Sequence, residues 1–287
     1  RAEKGISLIP LTRKFTANEI SYKNIDVIID RKLSVATICI KAPSVAVVAD
    51  PESIQNQAVD FWPLAIAREL DDLILHLRFN EAEVGTWLFK SSGDANLVLD
   101  ADHVLSVNAD FWLVRETTLF LKRVLKRLDV SARTLIAAVE PGSCFVGSLF
   151  EILLACDQSM MLDGQFEDDA KPAAMLAMSP LNFGAYPMVN GLTRLQSRFL
   201  ADPAHIDTLR DIGDDALDAA KAESLGLVTF SPDDIDWEDE IRIILEARAS
   251  YSPDALTGME ANLRFAGPET MESKIFSRLS AWQNWIF

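Results

Sequence analysis

The stretch TLIAAVEPGSCFVGSLFEILLACD, residues Thr134 to Asp157, decides how the rest of the chain is read. Leu135 to Val139 is short, apolar and strand-like. Pro141, Gly142 and Ser143 make a turn, and the small pair Gly147-Ser148 leads into an apolar segment of helical length, Leu149 to Cys156. A strand that feeds a glycine-containing turn and then a helix N-terminus points several backbone N–H groups at one spot. Such a spot stabilises an oxyanion or holds an anionic group.

Upstream of this unit, Ile25, Val27 and Ile29 alternate, as do Val35, Thr37 and Cys39, with Asp30-Arg31-Lys32 as a hairpin turn between them. Phe61 to Phe79 and Phe111 to Leu128 have helical spacing, and Val84 to Phe89 is a short strand ending in the polar turn Lys90 to Asp94. Lys122, Arg123, Lys126 and Arg127 suit the end of the second helix, where cations complement the helix dipole. Downstream, Gln158 to Leu162 reads as a strand, and the chain beyond Pro232 is mostly helical. Strands alternating with helices argue for a mainly parallel α/β arrangement.

A chain of 287 residues with 49% hydrophobic and 24% charged residues can bury a full-sized core. The net charge of −16 disfavours nucleic acid and anionic membrane as partners. It also disfavours long-range attraction of an anionic ligand, so any such ligand needs a local basic pocket. No apolar run is long enough to span a bilayer. The N-terminal RAEKGISLIPLTRK lacks a long apolar region, and the three cysteines, Cys39, Cys144 and Cys156, form no metal-ligand spacing or disulfide framework. The expectation is a cytoplasmic protein without metal. The chain opens on Arg1 and closes at Phe287 after a Trp-rich segment, as expected of a piece of a longer polypeptide. Trp237, Phe276, Trp282, Trp285 and Phe287 read as an apolar interface. Cys144 and His103 would be a thiol and its base only if they met in space; packing within the turn is the simpler reading of Cys144.

Ala137, Ala138, Val139, Gly147, Glu151, Ile152, Cys156 and Asp157 resemble, in order, the motif of the crotonase (enoyl-CoA hydratase/isomerase) family. Two extra residues lie in the turn, and Ser148 and Leu149 stand where glycines are usual. Two later segments continue the resemblance: Gly184, Pro187, Gly191, Arg194 and Leu195, then Ala216, Ala219, Ala220, Gly226, Leu227 and Val228. It implies an α/β fold in which a spiral of ββα units carries C-terminal helices used for assembly. The expected division is a linker or docking arm over 1–24, a crotonase-like core over 25–230 and a helical interface region over 231–287. The phrases EPGSCFVGSLFEILLACD, LNFGAYPMVNGLTRL and SRLSAWQNWIF are further similar to the C-terminal half of two-domain ring-opening lyases of this family, which act on a CoA thioester with water and release formate in aromatic degradation.

The resemblance also implies site residues. Glu151 stands at the first catalytic-glutamate position. Ser148 supplies one oxyanion N–H, with Gly147 beside it. Ser92 and Gly93, in the loop after the second core strand, fall where the other donor and substrate contacts belong. Pro180 stands at the second glutamate position and cannot transfer a proton. The implied partners are an acyl-CoA substrate, a catalytic N-terminal half in the same polypeptide and further copies in a homo-oligomer, with no cofactor beyond the thioester substrate. The alternatives are a free-standing acyl-CoA hydratase or isomerase using Glu151, and a purely structural assembly module.

Overall fold

The computed structural model describes residues 5–167, 169–264, 270–280 and 283. Seven strands form one sheet in sequence order: β1 (Lys14–Phe15), β2 (Glu19–Ser21), β3 (Ile25–Asp30), β4 (Val35–Lys41), β5 (Thr86–Ser92), β6 (Thr134–Val139) and β7 (Gln158–Met161). The first four are antiparallel and the last four, beginning with β4, are parallel. Connection length explains the change. A few residues can only double back, whereas a parallel return needs a crossover. In the β3–β4 turn the Asp30 carboxylate accepts the N–H groups of Lys32 and Leu33, at 2.8 and 3.0 Å. The sheet is therefore less parallel than the alternation of elements suggests. It also begins inside residues 1–24, where strands of two and three residues are too short to show a period.

The parallel half is built by helical crossovers. Helices α1 (Pro51–Gln57) and α2 (Trp62–Asn80) link β4 to β5; α3 (Ala95–Val107) and α4 (Trp112–Asp129) link β5 to β6; α5 (Gly147–Leu154) links β6 to β7. Five helices follow β7 and a long loop: α6 (Arg194–Arg198), α7 (His205–Ile212), α8 (Ala219–Ser224), α9 (Trp237–Ala249) and α10 (Pro253–Leu263). A short α11 (Met271–Lys274) runs into a π-helical turn at Ile275–Leu279.

Every residue of β6 is buried, because both faces of the sheet are covered. Leu135, Ala137 and Val139 join the main core with α2 and α4. Ile136 and Ala138 point the other way, into a second cluster with Val35, Leu88, Trp237 and Leu245. Trp237, 1% exposed, is thus a core residue that fixes α9 to the sheet's second face. Its indole N–H donates to Glu140 at 3.1 Å. Trp282, Trp285 and Phe287 lie outside the described residues, and Phe276 is 77% exposed. Among the described residues no helix is long and apolar enough to cross a membrane.

Candidate functional site

The turn between β6 and α5 shapes the site. Gly147 has φ +51°, and its N–H donates to the Ala177 carbonyl at 3.0 Å. A Cβ at Gly147 would collide with the carboxylate of Asp102, so the close approach of α3 to this turn requires glycine. The Ser148 N–H, which opens α5, donates to Asp102 Oδ2 at 2.7 Å. Ser148 Oγ donates to Asp102 Oδ1 at 2.5 Å, and Ser179 Oγ to Asp102 Oδ2 at 2.6 Å. The Tyr186 hydroxyl lies 2.8 Å from Ser148 Oγ. A carboxylate of the chain itself therefore occupies the N–H that the sequence offers to an oxyanion. Burial pushes the Asp102 carboxyl up to about 6, against the three donors that favour its charged form.

One turn further along α5, Glu151 is held on both oxygens. Asn182 Nδ2 donates to Oε1 at 2.8 Å, and Arg194 Nη1 donates to Oε2 at 2.8 Å. Arg194, from the start of α6, also grips Asp129 at the end of α4 through Nε (3.1 Å) and Nη2 (2.7 Å). All three charged side chains are buried. The fork geometry of the guanidinium lets one cation serve both carboxylates. Burial pushes Glu151 up, and Arg194 opposes that shift. Pro180 opens a short 3₁₀ helix, Pro180–Phe183, which places Asn182 so that it also donates to the Gly147 carbonyl at 2.9 Å. The apolar pocket against Asp102 and Ser148, walled by Trp62, Ile66, Leu105 and Leu149, holds about 10 Å³. That is about the space of one water and far below that of an acyl group.

Gly93 donates its N–H to the Gly142 carbonyl at 3.0 Å, and its φ of +125° brings it against Ala42. Ser92 accepts the Ala42 N–H at 2.9 Å. Gly93 thus meets the Pro141-Gly142 turn, while Ser92 ends β5 against β4, with its hydroxyl 3.5 Å from Cys39 Sγ. Among the described residues, no hydrogen bond joins either to the Asp102–Ser148 cluster. Cys144 is buried and its thiol is pushed up to about 11 by burial, while His103 is exposed on α3. They do not form a nucleophile and base. Among the described residues no group of three His, Cys, Asp or Glu is arranged to hold a metal ion.

Asp102, Asp129, Ser179 and Tyr186 are functional-looking residues that the motifs do not point to. One signal for Asp102 is present in the sequence. Val98, Ala101, Asp102 and Leu105 share one helical stripe, so an acid stands where an apolar residue is expected.

The order of elements, the glycine-turn entry to α5 and the C-terminal helices define an enoyl-CoA hydratase/isomerase (crotonase) fold. An enoyl-CoA hydratase from Geobacillus kaustophilus superposes with a TM-score of 0.64 at 18% identity, covering 95% of this chain and 91% of that one. An enoyl-CoA hydratase/isomerase from Cupriavidus metallidurans gives 0.62 at 22% identity, covering 93% and 89%. In sequence, the chain is 47% identical over 284 residues to a benzoyl-CoA-dihydrodiol lyase of Aromatoleum evansii. That match takes in 99% of this chain and 50% of the lyase, so the chain spans about half the length of its relative. No protein-family model matches.

Proposed function

We propose that the chain is the supporting, C-terminal crotonase-like half of a benzoyl-CoA-dihydrodiol lyase. The whole enzyme opens the ring of 2,3-epoxybenzoyl-CoA with water and releases formate in cytoplasmic benzoate degradation, and the chemistry belongs to an N-terminal catalytic half. The similarity to the Aromatoleum evansii lyase over half of its length supports the partition. The observation that carries the reading is the Asp102 carboxylate on the Ser148 N–H. An oxyanion developing on a thioester cannot take that hydrogen bond while Asp102 holds it, and the two negative charges repel. The Arg194–Asp129 clamp on Glu151 and the small pocket of about 10 Å³ against Asp102 and Ser148 point the same way. A general acid or base must reach the proton it moves.

Replacing Glu151 in the intact protein tests this. Glu151→Gln should change kcat/KM on 2,3-epoxybenzoyl-CoA by less than about tenfold while lowering the melting temperature, since a transition-state loss would appear in kcat without unfolding. The 287-residue chain by itself should not turn over crotonyl-CoA. A roughly thousandfold loss in Glu151→Gln with unchanged melting would overturn the supporting role and make Glu151 a catalytic residue of the lyase.

A further inference from the structure

A second cavity lies away from the Asp102–Ser148 cluster. It is an open cleft of about 800 Å³ between the C-terminal end of α5, helix α6 and helices α9 and α10. Its volume falls in the usual range of small-molecule sites. Leu154, Met188, Ile244, Leu256 and Met259 give it apolar walls, and four arginines border it. Three of these have carboxylate partners. Arg194 is bonded to Asp129, Arg264 to Asp157 at 2.6 Å, and Arg248 lies 3.8 Å from Glu260.

Arg198 is the exception. Its Nε donates to the Gly226 carbonyl at 2.6 Å, and among the described residues no carboxylate pairs with it. Burial pulls its pKa below the usual arginine value, the sign of a cation short of compensation. The adjacent Cys156 supplies no negative charge, because burial holds its thiol well above its ordinary pKa. In a chain of net charge −16, a half-buried guanidinium without an acid, bordering a cavity, is an unusual use of a positive charge.

We propose that this cleft binds a carboxylate with an apolar body, whose head group pairs with Arg198. A single guanidinium without a carboxylate of its own suits a small, singly charged head group. The guanidinium fork matches a carboxylate with two parallel hydrogen bonds. The apolar walls fit an aryl or an alkyl body, and the two are separated by the ligands used. The site is independent of whether Glu151 or Asp102 takes part in any chemistry.

Isothermal titration of the intact protein with benzoate and with octanoate, each against its neutral amide, tests the assignment. At least one acid should bind below 10 mM, and its amide should bind at least tenfold more weakly. Arg198→Gln should weaken the acid at least tenfold. Ala247→Trp, on the exposed side of α9, should block the cleft without disturbing the core and serves if Arg198→Gln unfolds. Four results would overturn the proposal: no binding of either acid up to 10 mM, equal binding of acid and amide, unchanged affinity in a folded Arg198→Gln, or a dissociation constant that Ala247→Trp leaves unchanged. Lost lyase activity in Glu151→Gln would bear on the proposed function and not on this site.

Discussion

A buried carboxylate at a helix N-terminus does for the chain what a bound anion would do. Asp102 satisfies the Ser148 N–H and two hydroxyl donors, and the partial positive charge of the α5 N-terminus favours it further. Burial sets the opposing effect. The carboxyl titrates near 6 when folded, above its value of about 3.9 in an unfolded chain. The folded state therefore takes up this proton first. The stability gained from that uptake is fully present below about pH 4 and is lost as the pH rises through 6, a change on the order of 3 kcal/mol. Asp102→Asn removes this dependence. Glu151, Asp129 and Glu260 are shifted in the same direction, so the quantity to measure is the difference between wild-type and Asp102→Asn denaturation free energies from pH 4 to pH 7. The wild type should lose more stability across that window; parallel profiles would show that Asp102 does not titrate there.

At the scale of elements, α10 is tied to the sheet by charge more than by apolar area. Glu260 accepts the Thr134 hydroxyl at 2.8 Å, at the start of β6. Arg264, just beyond the helix, bonds to Asp157 and to the Arg133 carbonyl, both at the sheet end of the core. Burial next to Asp157 pushes Glu260 up to about 7. Its folded value again exceeds the unfolded one, so the proton-linked part of this tie is complete below about pH 4.5 and lost as the pH rises through 7. Amide exchange over residues 254–263, corrected for its intrinsic pH dependence, should therefore speed up between pH 5.5 and pH 8. Glu260→Gln should flatten that change. Equal pH dependence in both proteins would place the control of α10 elsewhere. Helix α3 is the element hardest to recognise in the sequence: ANLVLDADHVLSV carries acids and a histidine through its middle, and the buried Asp102 interrupts the apolar stripe that would announce it.

At the scale of the whole molecule, exposed apolar residues concentrate at the C-terminal end. Met271 (72% exposed), Phe276, Ile275 and Leu279 line α11 and the turn that follows. Apolar area removed from water contributes about 25 cal/mol per Å². The intact protein should thus be a homo-oligomer or a tightly docked two-half monomer with this region at the contact. Sedimentation of Phe276→Ser together with Met271→Ser should show a smaller assembly or a lower melting temperature. Unchanged mass and unchanged melting would mean the contact lies elsewhere.

Much of the fold was legible before any coordinate. The β6–turn–α5 unit, the long helices α2 and α4 and the helical C-terminal region follow from local patterns, because period, turn chemistry and glycine placement act over a few residues. Gly147 and Ser148 were legible as a candidate anion site for the same reason, and Glu151 through the resemblance to the crotonase motif. What surrounds them was not. Asp102 is 46 residues from Ser148, and Arg194 is 43 from Glu151. No local rule announces that a carboxylate from α3 fills the N–H of α5, or that a guanidinium from α6 clamps Glu151 to Asp129. The same holds for the cleft, whose unmatched Arg198 is visible only once three other arginines have found their acids. The chain by itself determined which backbone groups and carboxylates were available; only tertiary packing decided which were already taken, because pairing of buried charges depends on distances across the core.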